Sequence, residues 1–401
     1  MSRRELAVAV SLAVAVAAWV WLRAPAPVHS DFCSYYAAGQ LVREGRAGAA
    51  YDGAELERTH RAIHDVGRRA GPFLYSPLLL VPAAAFATAP LPAAAAANRA
   101  LCAAALGGGL LLVLLAVPGT WSRIAVAGAF AVAHATSIQL VYENWTTVLF
   151  ALLAGAALAL HRNRPLAAGL LGAGAIHLKA FAVFALAPLA AGARRRVVVW
   201  TVAAGTLLAL ASALVVGVEP WRRFVLQLAG AGEAGVTPYY NKCSLAANLA
   251  RLSSEPREWV SARAPVESLP VRALFWAALP LAAWGAWRLR RAPEAAFAFG
   301  LAWTLLFVPQ IWEHTELLLF AALPALLPRW RRVALALLAA TFFYGGLQQG
   351  LLREVLSGAR PAISLAALLL FYPSLNLLVL GAALESGEPR AGKRRSGARA
   401  S

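Results

Sequence analysis

Residues 162–196 read RNRPLAAGLLGAGAIHLKAFAVFALAPLAAGARRR, an apolar stretch closed at each end by arginines. In membrane proteins Arg and Lys collect in cytoplasmic loops because they orient the spans, so both ends of this stretch belong to one membrane face. The apolar part, 165–193, is too long for one span of ~20 residues and too short for two. It predicts a re-entrant hairpin of two short helices. At a rise of about 1.5 Å per residue, halves of about twelve residues reach about 18 Å deep. The tip falls at His177-Leu178-Lys179, just past the middle of a ~30 Å hydrocarbon core. Irregular backbone at that depth is tolerated only where protein or a wet cavity covers it.

Outward from the hairpin the whole chain has the same character. Of its 401 residues 60% are hydrophobic and 14% charged, with a mean hydropathy of +0.62. Soluble domains run at roughly 45–50% apolar and about 25% charged, so a soluble globular fold is excluded. The composition predicts an all-α, polytopic membrane protein of about 10–12 transmembrane helices. The net charge of +18 sits in small clusters between apolar runs: Arg162–Arg164, Arg194–Arg196, Arg288–Arg291, Arg329–Arg332 and Arg390–Arg399. That is the distribution of topology signals and not of a nucleic-acid partner. Met1–Glu5 (MSRRE) precedes the apolar run Leu6–Leu22 without a clean cleavage site, which predicts an uncleaved first helix with a cytoplasmic N-terminus.

Two long polar stretches, 24–72 and 219–270, then fall on the extracytoplasmic face as large outer loops. Spans over 196–218, 271–287, 295–311, 314–327, 332–347 and 362–383 alternate and deliver the C-terminus to the cytoplasm. Upstream, runs 94–117, 123–141 and 144–160 read as spans, and the proline-broken segment 73–92 (Pro77, Pro82, Pro90, Pro92) as re-entrant or juxtamembrane. The expected organisation is one membrane domain, 1–384, and a basic disordered tail, 385–401, in a multi-pass protein of the cell membrane.

Several residues in this frame bear chemistry. Asp31, followed by Tyr35 and Tyr36 in the first outer loop, is either a general base or the cap of the helix that follows. Lys179, at the hairpin tip, is an intramembrane cation suited to a lipid phosphate, unless it snorkels to the interface; His177 beside it reads as a packed histidine. Glu143 and Asn144 lie at an outer turn, where they contact a sugar or merely end two helices. Tyr239-Tyr240-Asn241-Lys242-Cys243-Ser244-Leu245 forms a polar, aromatic patch in the second outer loop. Trp312-Glu313-His314-Thr315-Glu316 places two carboxylates and an imidazole at a tight turn. A metal is one reading of that turn, but no second ligand cluster accompanies it, and none is assigned. Of the cysteines, Cys102 reads as packing, whereas Cys33 and Cys243 both fall on the outer face, where disulfides persist, and are expected to pair. No CxxC, Walker loop, dinucleotide fingerprint or HExxH occurs, which leaves nucleotide-driven transport, nicotinamide chemistry and zincin proteolysis without support.

The order of these motifs resembles glycosyltransferase family 87 of the GT-C superfamily, over roughly residues 5–385. Asp31-Phe32 with Tyr35-Tyr36, Gly39 and Tyr51-Asp52 resembles the family's first outer loop. Phe73-Leu74-Tyr75-Ser76-Pro77-Leu78 is similar to its aromatic-Tyr-x-Pro segment, and Ala168-Gly169-Leu170-Leu171-Gly172 leading to Lys179 to its short helix pair with a terminal lysine. Asn241 to Leu245 followed by Arg251 resembles its Asn…Ser-Leu…Arg stretch, and Trp312-Glu313-His314 its Trp-acid-His turn. Ile138-Gln139-Leu140-Val141 departs from the family's Gly-Gln-x-Asn, Ala180 replaces a proline after the lysine, and Thr315 stands where a second histidine is common.

The resemblance implies an α-1,2-mannosyltransferase-like enzyme that moves a hexosyl group from a polyprenyl-phosphate donor to a glycolipid or polysaccharide acceptor, with inversion, at the outer face. It implies Asp31 as base, with Lys179, Lys242 and Arg251 at the donor phosphate. Tyr35, Tyr36, Tyr75, Glu143, Asn144, Asn241, Trp312, Glu313 and His314 are then candidates for sugar or acceptor contacts. No cofactor is required for a monophosphate leaving group when cations are present, and a divalent ion stays open. The alternatives are a lipid-linked-sugar transporter or flippase, and a non-catalytic cell-envelope protein. Transporters commonly show internal repeats; this chain shows no convincing self-similarity between its halves.

Overall fold

The computed structural model describes residues 2–23, 31–63, 73–192, 194–231, 242–252, 269–309, 311–327 and 374–385. Its elements in chain order are α1 (Arg3–Arg23), α2 (Phe32–Arg43), α3 (Gly53–Ile63), α4 (Leu80–Phe86), α5 (Leu91–Ala116) and α6 (Thr120–Val132). They continue with α7 (His134–Ser137), α8 (Gln139–Tyr142), α9 (Thr146–His161), α10 (Pro165–Leu178), α11 (Ala182–Leu186) and α12 (Arg195–Val216). The remainder are α13 (Glu219–Ala231), α14 (Leu245–Leu252), α15 (Leu269–Arg288), α16 (Pro293–Phe307), α17 (Leu323–Leu326) and α18 (Ser374–Glu385). Short 3-10 turns join several of them, and among the described residues the only extended pairing is one antiparallel bridge between Lys242 and Trp312.

The protein is an all-helical, polytopic membrane protein. Among the described residues three helices, α1, α5 and α12, are long and apolar enough to cross a bilayer, and shorter apolar helices accompany them. Their outer faces are undisguised hydrocarbon: Val14 is 63% exposed, Leu207 67% and Leu214 89%. An apolar face of that size is untenable in water and ordinary in lipid. By contrast α16 is apolar all round and buried from Ala295 to Phe307, as a helix at the centre of a bundle must be.

Side-chain contacts fix the direction of the helices. Glu5 near the start of α1 reaches Arg123 at 3.5 Å, and Arg123 donates to the Leu114 carbonyl at the end of α5, at 3.0 Å. At the opposite end Arg99, early in α5, stacks over the Trp21 ring at 5.3 Å. Thus α1 and α5 run antiparallel, and α1 ends where α5 begins, at one end of the molecule. Segment 73–92 fits there without crossing, as a 3-10 turn (Pro77–Leu79) leading into the seven-residue α4. A Cβ on Gly39 would collide with the Ala83 carbonyl, so α2 lies directly against the backbone of α4.

The stretch 165–191 is the expected hairpin: α10 goes in, Lys179 turns the chain in an extended conformation, and α11 with a 3-10 turn comes back. Fourteen residues of α10 span about 21 Å. The basic clusters meet at its open end. Arg194 donates to the Asn163 side chain, Gly192 abuts the Arg290 carbonyl, and His161 meets Glu294 at 3.2 Å.

Three expectations need correction. The run 123–141 is not one span: α6 ends at Val132, and two four-residue helices follow. Gln139 explains the break, because its buried amide must be satisfied and donates to the Ala135 and His314 carbonyls. The run 314–327 begins as a 3-10 helix, Glu313–Ala322, before α17. Finally, Cys33 and Cys243 are buried thiols that form no disulfide with one another. Cys33 lies on the packed face of α2, whereas the Cys243 backbone is held on the Ile311 carbonyl at 2.9 Å, so each is tied into its own neighbourhood. Spans expected over 332–347 and most of 362–383, the cluster Arg329–Arg332 and the tail lie outside the described residues.

Candidate active site

Asp31 precedes α2 but does not cap it: its side chain makes no bond to the helix N–H groups. Its backbone N–H donates to the Tyr142 carbonyl at 2.7 Å, and its Oδ2 accepts from Asn144 Nδ2 at 2.6 Å. The other carboxylate oxygen has no protein partner among the described residues. Burial pushes the carboxyl above the ordinary carboxylate range, with the Asn144 hydrogen bond and the positive charge of Lys179 pulling the other way.

Asn144 is the hub of this region. Its Oδ1 accepts from the Thr146 N–H at 2.9 Å and the Thr146 hydroxyl at 2.7 Å, and from the Tyr75 hydroxyl at 3.3 Å. A backbone N–H can only donate, so the carbonyl must face Thr146 and the NH₂ must face Asp31. The local chain is bent to allow this. Glu143 sits in the left-handed region at φ 50°, ψ 40°, uncommon for a residue with a Cβ. Its carbonyl accepts from Asn98 on α5 at 3.1 Å, and Asn98 in turn accepts from the Trp145 indole at 2.7 Å. Glu143 itself is wholly buried.

Aromatic rings wall the same space. The hydroxyls of Tyr35 and Tyr75 are 2.5 Å apart, and the Tyr35 ring lies 5.0 Å from Tyr75 and 4.6 Å from Trp145. Tyr51 donates to the Tyr75 carbonyl at 2.8 Å. Lys179 arrives from the hairpin tip with Nζ over the Tyr75 ring, 4.4 Å from its centroid. His177 positions that tip: Nε2–H donates to the Gly205 carbonyl at 2.8 Å, leaving Nδ1 to accept from the Ser76 hydroxyl at 3.1 Å. It is a packed histidine. Asp31 and Lys179 therefore face one neighbourhood, linked through Asn144 and Tyr75, and no ion pair or hydrogen bond joins them directly.

A second group of residues lies beyond Tyr142, whose ring is 5.7 Å from that of His314. His314 stacks on Trp312 at 6.4 Å, and its Nδ1 is buried without a hydrogen-bond partner among the described residues. Lys242 pairs with Trp312 through the bridge and places Nζ 5.1 Å from that ring centroid. Burial and the neighbouring Arg251 charge bring the Lys242 ammonium down to about 8. Arg251 is occupied with structure, donating to the Lys242 carbonyl at 2.7 Å and to Asn248. Glu316 turns away to accept from Asn376 at 3.1 Å.

Tyr36 also points elsewhere: it donates to the Ala89 carbonyl at 2.8 Å. Asn241, with Tyr239 and Tyr240, and the Glu313 side chain lie outside the described residues. The sequence reading passed over Asn98, Trp145 and Thr146. Asn98 carried a usable signal, an amide inside an otherwise apolar run.

Against known proteins, the sequence profile of glycosyltransferase family 87 matches residues 73–309, more than half of the chain. That stretch includes Tyr75, Asn144, Lys179, Lys242 and Arg251, while Asp31 precedes it and Trp312 follows it. No curated protein matches the chain.

Proposed function

This chain belongs to glycosyltransferase family 87, and from that premise we propose that it transfers a hexosyl group, mannosyl in the first instance, from a polyprenyl-phosphate donor to a glycolipid or polysaccharide acceptor. The protein is a membrane glycosyltransferase by membership and architecture; the donor, the acceptor and the side of the membrane are our reading. The observation that carries it is Asp31, with one oxygen fixed by Asn144, the other open, and a lysine beside it that forms no ion pair with it.

In this reading the open oxygen of Asp31 takes the proton of the acceptor hydroxyl as that oxygen attacks the anomeric carbon. The bond from that carbon to the phosphate oxygen breaks, and the lipid phosphate leaves with the electron pair. Direct displacement inverts the centre, so a β-linked donor gives an α-glycoside. Lys179, and Lys242 from the second group, offset charge on the departing phosphate, an electrostatic contribution commonly larger than the proton transfer. Tyr35, Tyr75 and Trp312 offer faces to the sugar, and His314 offers its unpartnered nitrogen. No cofactor enters these steps.

Both termini and the arginine clusters then lie in the cytoplasm, and Asp31 opens outward at the plasma membrane. Incubating the purified protein with radiolabelled polyprenyl-phosphate mannose and a panel of lipid and glycan acceptors tests the proposal. Transfer to at least one acceptor, abolished by Asp31→Asn, is expected. Donor that stays intact with every acceptor, or an active asparagine variant, overturns it.

A further inference from the structure

At the opposite end of α10 from Lys179, a cavity of about 660 Å³ is lined by Asn163, Pro165, Gly192, Arg194, Arg195 and Arg196. We propose that this cavity binds the phosphate headgroup of an anionic glycerophospholipid, at a site separate from the one around Asp31.

The walls of the cavity are fixed by a left-handed turn on one side and a close backbone approach on the other. Asn163 ends α9 in the left-handed region, at φ 55°, with the Arg164 N–H returning to the Ala159 carbonyl at 2.8 Å. That turn places the Asn163 side-chain oxygen, Oδ1, where Arg194 donates to it. On the other wall, Gly192 sits so close to the Arg290 carbonyl that a Cβ there would collide with it.

The charge inside is unbalanced. Among the described residues none of Arg194, Arg195 and Arg196 makes an ion pair, whereas Arg222 and Arg223 on α13 both bond Glu219, at 2.9 and 2.8 Å. Arg194 Nε is buried and has no hydrogen-bond partner among the described residues. Arg195 and Arg196 line the cavity with exposed side chains, and a phosphate oxygen is the acceptor that a guanidinium fork suits. Arginines that serve only to orient the chain need no concavity.

The surroundings specify a lipid and not a free anion. Leu166 and Leu170 on α10 and Val199 and Val202 on α12 continue from the cavity along the helices, and all four are exposed. A headgroup held by the arginines therefore has hydrocarbon beside it for its acyl chains. Basic pockets between transmembrane helices bind anionic headgroups in this manner.

The test uses the full-length protein in neutral detergent. Binding of phosphatidylglycerol and phosphatidylcholine is followed by native mass spectrometry, with inorganic phosphate as a competitor. Phosphatidylglycerol should bind at least about tenfold more tightly than phosphatidylcholine. The triple variant Arg194→Gln, Arg195→Gln, Arg196→Gln should lose about a hundredfold, and Arg194→Lys, which keeps the charge but removes the planar guanidinium fork, about tenfold. Inorganic phosphate at equal concentration should leave the lipid in place. Should the triple variant fail to fold, Arg194→Lys decides alone. Equal binding of the two lipids, wild-type affinity in Arg194→Lys, or displacement of the lipid by inorganic phosphate at equal concentration overturns the proposal. None of these outcomes depends on glycosyl transfer.

Discussion

The two ends of α10 treat charge in opposite ways. At the Lys179 end each charged group is placed by a neighbour: Asp31 by Asn144, Lys179 by the face of Tyr75 and Lys242 by Trp312. At the Pro165 end three arginines share a cavity without a counter-ion among the described residues. The first arrangement is preorganised and partly dry, which is where an electrostatic interaction has most effect on a reaction. The second is an open charge excess, suited to holding an anion that arrives already formed. A single net charge of +18 is therefore distributed in two unlike ways, one preorganised and one in excess.

The sharpest way to break this contrast is at Asp31. Asp31→Asn keeps an acceptor for Asn144 and removes only the base, so turnover should fall by roughly 10²–10⁴-fold while thermal unfolding stays near that of the wild type. Lys179→Ala should follow, lowering transfer by about 10²–10³-fold with the change concentrated in donor kinetics. Unaltered donor kinetics would remove Lys179 from the phosphate.

Asn144 permits a subtler test. Its hydrogen bond stabilises ionised Asp31, against burial that raises the carboxyl. Protonated Asp31 is inactive as a base, so activity falls as pH drops through its raised pKa. Thr146→Val, which removes the hydroxyl bond to Asn144 Oδ1 and leaves the backbone N–H, should weaken the clamp, move that acid limb to higher pH and cost about tenfold in rate. An acid limb that does not move shows Asn144 to be structural only. On the alkaline side Lys242, at about 8, loses its charge, and the donor KM should rise above that pH.

The smallest effect belongs to the paired arginines at the Asp31 end. Replacing Arg222 and Arg223 by Gln breaks exposed bonds to Glu219, worth roughly 0–1 kcal/mol. Phosphatidylglycerol binding should stay within about twofold of wild type. A larger loss would mean that any surface arginine attracts the lipid, and the contrast between the two ends would disappear.

Much of this was legible before any coordinates, for identifiable reasons. Arginine clusters and span lengths fix parity, so the hairpin at 165–193 and the non-crossing segment 73–92 follow from counting. Asp31 and Lys179 stand out because ionisable groups beside apolar runs are expensive. The role of Asn144 was hidden, because it depends on a left-handed Glu143 and on Thr146 and Tyr75 meeting in space. The break after Val132 was hidden as well, since Gln139 needs an acceptor on His314, which only the folded bundle brings near. Pairing Cys33 with Cys243 failed because sharing a membrane face does not bring two sulfurs together.

The central claim is that Asp31 and Lys179 serve one cavity. A cryo-electron microscopy structure with a non-hydrolysable polyprenyl-phosphate sugar tests it most directly. The account predicts a phosphate oxygen about 3 Å from Lys179 Nζ, with the anomeric carbon toward the open oxygen of Asp31. A donor phosphate seated instead among Arg194, Arg195 and Arg196, with the space beside Asp31 empty, would contradict it.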